Sequence, residues 1–402
     1  GVADAWVEDL AFGPDYLSVE ALAPATFAST ADAEGRTVPV EPPVTLLLAS
    51  ALHRVSPFEV TCWTRNGPGT WARRSLGGTG GGNDASIRCL TVFRDGTTGV
   101  DRIFAGTADR KIWSGVHDPD ALGAIRWDAA PELALDPQVG SRVMALAAAE
   151  GALYALITPE EGLVDSGGLF RRHDGPAPRW ERVWTWPAYT SGGKMIMRGL
   201  SVVPDPAGSG REVFILGREQ QGMVHRLDPL APPADGVAAP VELDVRRHLA
   251  AAYGSAYNGG CLPVYSYMVP VVDPETGEPV LLASLLAKVP GEAGGLSALH
   301  LVRHHDGSWE HVRVSDPAHP QVLRSVRTLL PSPFAGDQHA YYLGGYDAAG
   351  QESHDTAWLY RATLPPTPGR RGELLDLAGN VWEHAIDRKS TRLNSSHSSI
   401  SY

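Results

Sequence analysis

Six times along this chain a short segment, usually centred on tryptophan, closes a block of strand-like sequence. No other feature constrains the fold as tightly. The segments read TWARRSL at Trp71, IRWDAAPEL at Trp127, RWERVWTW at Trp180 and SWEHVRV at Trp309. A tryptophan-free variant, VELDV, spans Val241 to Val245, and AWVEDLAF at Trp6 is stranded at the start. Recurrence at about 40–50 residues marks propeller blades or solenoid turns, units that bury a core only against copies of themselves.

Each block has one grammar. From Arg198 it runs RGLSVV, a turn PDPAGSG, EVFILG, a polar loop, MVHRLD and the closing segment. Four short apolar runs separated by Gly, Pro, Asp and Asn turns make one antiparallel sheet. The third turn is the most regular, RNGPGTW at Arg65, RHDGPAPRW at Arg172 and RHHDGSW at Arg303. Asn-Gly and Asp-Gly supply the positive φ angles that tight hairpins need. The spacing predicts blades over about 16–76, 87–134, 142–186, 198–245, 266–314 and 326–364.

The sixth block has three strands, SVRTLL, AYYLGGY and AWLYRAT, and lacks a fourth just where the chain begins with an orphan one. The economical reading is an all-β propeller of six four-stranded blades, its N-terminal strand closing the last blade. Closure removes the sheet edge that an open array exposes. Blade spacing varies enough to leave five or seven blades open. Residues 1–366 read as a single domain and 367–402 as an irregular tail. RKSTRLNSSHSSISY from Arg388 resembles translated sequencing-adapter read-through and is expected to be non-native. Before it, LLDLAGNVWEHAID resembles the GNVWEW segment of formylglycine-generating enzyme domains, without the rest of such a domain.

Composition narrows the partners. Forty-four Gly, 32 Pro and 11 Trp suit a turn-rich β chain, and 43% hydrophobic content supports a sizeable core. A net charge of -12 with no basic tract argues against nucleic acid and anionic membrane as partners. No apolar run approaches the roughly 20 residues that span a bilayer. Three cysteines in no metal-type spacing leave the compartment open. A closed ring of this kind is expected to be a monomer.

Aligned on their first strands, four blades open with arginine: Arg88, Arg142, Arg198 and Arg327. The same four end their second strands with an acid: Asp109, Glu160, Glu219 and Asp347, at separations of 18 to 21 residues. In a hairpin the start of one strand lies beside the end of the next, so each arginine is expected to meet its own blade's acid at one channel mouth. Guanidinium forks match carboxylate or phosphate oxygens. Two roles fit: a frame holding each blade's strands in register, or a ring that binds a small anionic or sugar-like molecule. The two remaining blades offer Tyr16 and His53, and Tyr265 and Tyr267, as a stacking wall. The loop after Gly344 adds His354 and Asp355 beside Asp347, giving a hydrolase or lyase alternative. There His354 is the base and Asp347 and Glu219 are acids or metal ligands. A protein-interaction scaffold using the outer rims is a third reading.

The stretches MRGLSVVPDPAGSGREVFIL, GGLFRRHDGPAPRWERVW and GGYDAAGQESHDTAWLYRAT resemble a group of uncharacterised bacterial β-propeller proteins. That resemblance implies the fold and no particular reaction. Calcium-dependent lactonase propellers are a looser likeness. They imply a Ca2+ site built from Glu, Asn and Asp, and the Asn is not visible at a first-strand position here. The histidines lack the four-blade arrangement of carotenoid-cleaving propellers.

Overall fold

The structure is a computed structural model. It describes residues 6–377 except 54–57, 68–69, 81–85, 122–123, 141, 159–166, 186–196, 209, 219–221, 255–256, 258–260, 263–266, 274, 288, 290–296, 314–325, 338, 347–355, 364–373 and 376.

Six antiparallel sheets follow one another around a ring. Blade one comprises Tyr16–Ala31, Thr37–His53, Phe58–Asn66 and Ala72–Gly80. In blade two, Ile87–Arg94, Asp101–Thr107 and Lys111–His117 precede a fourth strand split into Ile125–Trp127 and Leu133–Ala134, both paired with Lys111–His117. Blade three is Arg142–Ala149, Ala152–Thr158, Gly168–His173 and Arg179–Trp184. Blade four is Met197–Pro204, Glu212–Arg218, Met223–Leu227 and Val241–Asp244. Blade five splits its first strand into Cys261–Leu262 and Met268–Val272, followed by Pro279–Ala287, Ser297–Arg303 and Trp309–Arg313. Blade six is Val326–Pro331, Ala340–Tyr346 and Ala357–Thr363, completed by the N-terminal Trp6–Ala11.

The closure predicted from the orphan strand is therefore present, with Trp6 opposite Ala362 and Ala11 opposite Trp358. First strands of successive blades meet in ring order, blade six returning to blade one, so they line the centre. The second strand of each blade is covered on both faces by neighbouring blades. That is why LYALI, VFILG and LLASLLA are unbroken apolar runs rather than alternating ones.

The core is divided by junction. One buried cluster lies between blades one and two, around Phe27 and Trp113. Others lie between two and three around Phe104 and Leu153, and between three and four around Tyr154 and Phe214. The rest follow between four and five around Ile215 and Leu285, five and six around Leu282 and Leu343, and six and one around Trp63 and Tyr342. Glycine is required where sheets come closest. A β-carbon at Gly106 would stand 2.5 Å from the Cγ1 of Val143, and one at Gly344 2.5 Å from the Cγ1 of Val19, each on the next blade.

Two features depart from the four-strand grammar. VELDV is a strand only to Asp244, because that aspartate caps a helix, Val245–Tyr253, accepting a 3.1 Å bond from the Arg247 amide. Val245 and Leu249 dock this helix onto the cluster between blades four and five. At the other end of the chain, Leu374, Leu375 and Leu377 are buried in the cluster between blades five and six. No helix among the described residues is long and apolar enough to cross a membrane.

Candidate functional site

The first strands share a defect that aims side chains. Pairing between strands one and two slips by a residue between Tyr16 and Ser18, Ile87 and Cys89, Val143 and Ala145, Met197 and Gly199, and Val326 and Thr328. Each slip is a β-bulge, which lifts one residue out of the ladder and re-aims it. The bulged residues are Leu17, Arg88, Met144, Arg198 and Arg327, so the arginines belong to blades two, four and six. Arg142 is not their equivalent. It lies two positions earlier than its blade's bulge, opposite Thr158, and is exposed.

In blade two the expected Arg88–Asp109 pairing is replaced by pairing between blades, while the other three expected acids lie outside the described residues. Arg88 Nη1 donates to Glu20 Oε2, a carboxylate on the inner strand of blade one. Asp109, its expected partner, is taken by Lys111 Nζ at 2.5 Å and by the Thr107 hydroxyl. A bulged residue points away from its own hairpin partner, which accounts for the exchange. Glu20 is itself at a second bulge, between Val19 and Ala21.

From blade six, Arg327 also acts on Glu20. Burial pushes the Glu20 carboxyl upward, but the charges of Arg88 and Arg327, with hydrogen bonds from Ser18 and Arg88, outweigh it and hold it below the usual range. The Arg327 guanidinium lies 5.0 Å from the centre of the Tyr346 ring. Both Arg88 and Arg327 have a buried Nε–H with no hydrogen-bond partner among the described residues. Among the described residues, two guanidiniums and one carboxylate thus gather at the centre of the ring, with a net charge of +1.

The other predicted residues are placed differently. Tyr267 is only 5% exposed, and its hydroxyl lies 3.1 Å from His300 Nδ1. A ring enclosed this fully has no face for a stacking ligand. Tyr16 is buried edge-on to His53, with ring centres 4.8 Å apart. Of Arg198 only the backbone position is described, and Glu160, Glu219, Tyr265, Asp347, His354 and Asp355 lie outside the described residues. Among the described residues no three His, Cys, Asp or Glu side chains gather as a metal ion would require. Glu20 was missed in the sequence because it sits in the one blade whose bulge carries leucine.

A second set of charges recurs at the outer edge of the ring. Asp9 accepts from Arg65 and, at 2.7 Å, from Trp71 Nε1. Glu132 accepts from Arg172 Nε at 2.7 Å and Trp180 Nε1 at 2.9 Å, and Glu242 from Arg303 Nε at 2.5 Å and Trp309 Nε1 at 3.0 Å. Each carboxylate comes from blade six, two or four, and each Arg–Trp pair from the next blade, one, three or five. These are structural latches. Arg172 is 2% and Arg303 3% exposed at the side chain, so their partners neutralise a charge that water cannot reach.

The molecule is a six-bladed β-propeller. No protein-family model matches the chain, and no curated protein matches it. Solved structures similar to it include an α-L-arabinofuranosidase of Fusarium graminearum, at 13% identity and TM-score 0.48, covering 89% of this chain and 97% of that one. A luciferin-regenerating enzyme matches at 13% identity and TM-score 0.45, covering 89% and 94%. A fucose-specific lectin of Aleuria aurantia matches at 12% identity and TM-score 0.42, covering 89% and 99%. No property of these proteins is carried over to this chain.

Proposed function

We propose that the protein binds a small anionic ligand at the centre of the ring, on the inner-strand arginines Arg88 and Arg327. One observation carries this reading: two bulged arginines from different blades act on a single carboxylate, Arg88 through an ion pair and Arg327 through its charge, and each has a buried donor with no partner among the described residues. A buried N–H left unmade costs about 1–3 kcal/mol, and an oxyanion bonded to a guanidinium makes a charge-assisted hydrogen bond, so anion binding at either arginine is favoured. A purely structural pair needs one arginine per acid, as the outer latches at Asp9 and Glu242 show.

The test is calorimetric titration of wild type, Arg88→Ala and Arg327→Ala with small carboxylates and inorganic phosphate, alongside their thermal unfolding. The expected result is saturable binding by wild type that weakens at least tenfold in each variant. Both arginines keep some solvent contact, so their loss should cost only about 1 kcal/mol of stability. A stability loss of about 3–5 kcal/mol with no anion bound by wild type would return the cluster to a frame.

A further inference from the structure

Glu20 is the feature of the inner cluster that a simple anion-binding site would not contain. An arginine pair built only to attract anions gains nothing from a carboxylate paired with one of its guanidiniums. This one is well anchored: Ser18 donates to Oε1 and Arg88 to Oε2, its side chain is 11% exposed, and two bulges shape the strand around it. A carboxylate offers about four acceptor positions, and two are used by these bonds. Glu20 therefore adds two properties to the site. It subtracts one unit from the charge available to a ligand, and it supplies acceptors that a ligand hydroxyl can reach.

We propose that Glu20 is a specificity-determining residue that limits the ligand to a monoanionic hydroxylated acid, of the sugar-acid kind, and discriminates against dianions. The inference rests on the anion-site reading above. One bound negative charge neutralises the cluster. A second stands near an ionised carboxylate with no further guanidinium among the described residues to answer it. At about 4 Å, like-charge repulsion ranges from roughly 1 kcal/mol in water to about 4 kcal/mol near a protein surface. That is at least several-fold in affinity and up to about a thousandfold. The held-down titration of Glu20 keeps the carboxylate ionised at neutral pH. Both oxygens then accept hydrogen bonds and repel a second anionic charge.

The experiment compares glucuronate, a hydroxylated monoanion, with inorganic phosphate at pH 8, where phosphate is a dianion. Wild type, Glu20→Gln and Glu20→Asp are each titrated. Wild type is expected to bind glucuronate at least tenfold more tightly than phosphate. Glu20→Gln should narrow or invert that ratio, and Glu20→Asp should retain its sign. A wild-type preference for phosphate overturns the proposal, and so does a ratio unchanged in Glu20→Gln. The wild-type ratio alone decides the matter if the variants do not fold. Arg88-dependent binding with the wrong selectivity removes the role of Glu20 and leaves the anion site standing. Absence of any Arg88-dependent binding removes both.

Discussion

At the scale of the residue, His300 shows how enclosure decides chemistry. Its Nε2 lies 3.0 Å from the carbonyl of Leu375, which can only accept, so Nε2 carries the proton. Nδ1 is then an acceptor and the Tyr267 hydroxyl donates to it. Burial pushes the His300 pKa down to about 4, against the hydrogen bond to Leu375, which works the other way. The unfolded chain therefore binds this proton more readily than the folded one. Stability is expected to fall as pH drops from about 6.5 towards 4, by up to about 3 kcal/mol from this group. Glu20 adds a loss at lower pH, because its folded pKa lies below its usual one and stability goes as pH falls through that value. Urea unfolding at pH 7 and pH 4.5 measures the loss summed over the histidines whose pKa burial lowers, His117, His225, His248 and His311 included, and His300→Gln should reduce the difference. An unchanged difference in that variant would show that His300 does not contribute to it.

At the scale of the element, three latches couple strands of adjacent blades, and their redundancy differs. Arg172 has Asp95 at 2.9 Å and Asp174 as well as Glu132. Glu242 is the single acid in ion-pair contact with Arg303 among the described residues. Glu242→Ala should thus cost about 3–5 kcal/mol, the penalty for stranding a buried charge, and Glu132→Ala distinctly less. Denaturant midpoints of the two variants give the comparison, and equal losses would contradict it. Asp9 joins ring closure to the same chemistry, since the strand that completes blade six also carries the carboxylate held by Arg65 and Trp71. Deleting residues 1–13 removes both and exposes the edge of Ala357–Thr363. Aggregation or a large drop in melting temperature should follow. A melting temperature equal to wild type would mean that the ring does not depend on this strand. Elsewhere an edge is left open but blunted. The outer part of Thr37–His53 extends beyond its pairing with Phe58–Asn66 and carries Pro39, Pro42 and Pro43, which lack the N–H that another strand needs.

At the scale of the whole molecule, stability is spread over six junction cores rather than held in one. The junction between blades five and six is the exception in its construction, because a separate segment, Leu374 to Leu377, fills part of it. Leu377 is fully enclosed, and Leu377→Ala should cost about 2–5 kcal/mol. Truncation after residue 387 is expected to leave thermal unfolding as it is, whereas truncation after 373 should destabilise the protein. Melting curves of the two truncations separate these outcomes, and equal curves would show that the leucines contribute nothing. The latches and the bulged arginines also alternate. Even-numbered blades carry the outer acid and an inner arginine, and odd-numbered blades carry the Arg–Trp pair. The ring is therefore three repeats of a two-blade unit, with blades six and one forming the unit that spans the chain's ends.

The architecture was legible because periodicity and turn chemistry are local properties. Apolar runs of strand length, Asn-Gly and Asp-Gly turns, and an orphan strand matching a missing one suffice to place six sheets and their closure. The repeated tryptophans were visible too, but not that they divide into two kinds. Trp71, Trp180 and Trp309 donate to an acid, while the segments at Trp6, Trp127 and Val241 supply it, a distinction that exists only across a blade junction. Arg88 was found and its partner was not. A bulge shifts register by one residue and turns a side chain towards the next blade, and neither effect leaves a mark in spacing along the chain. Glu20 stands 68 residues from Arg88 in the chain. It meets Arg88 because the first strands of neighbouring blades converge at the centre, and that convergence belongs to the closed ring alone.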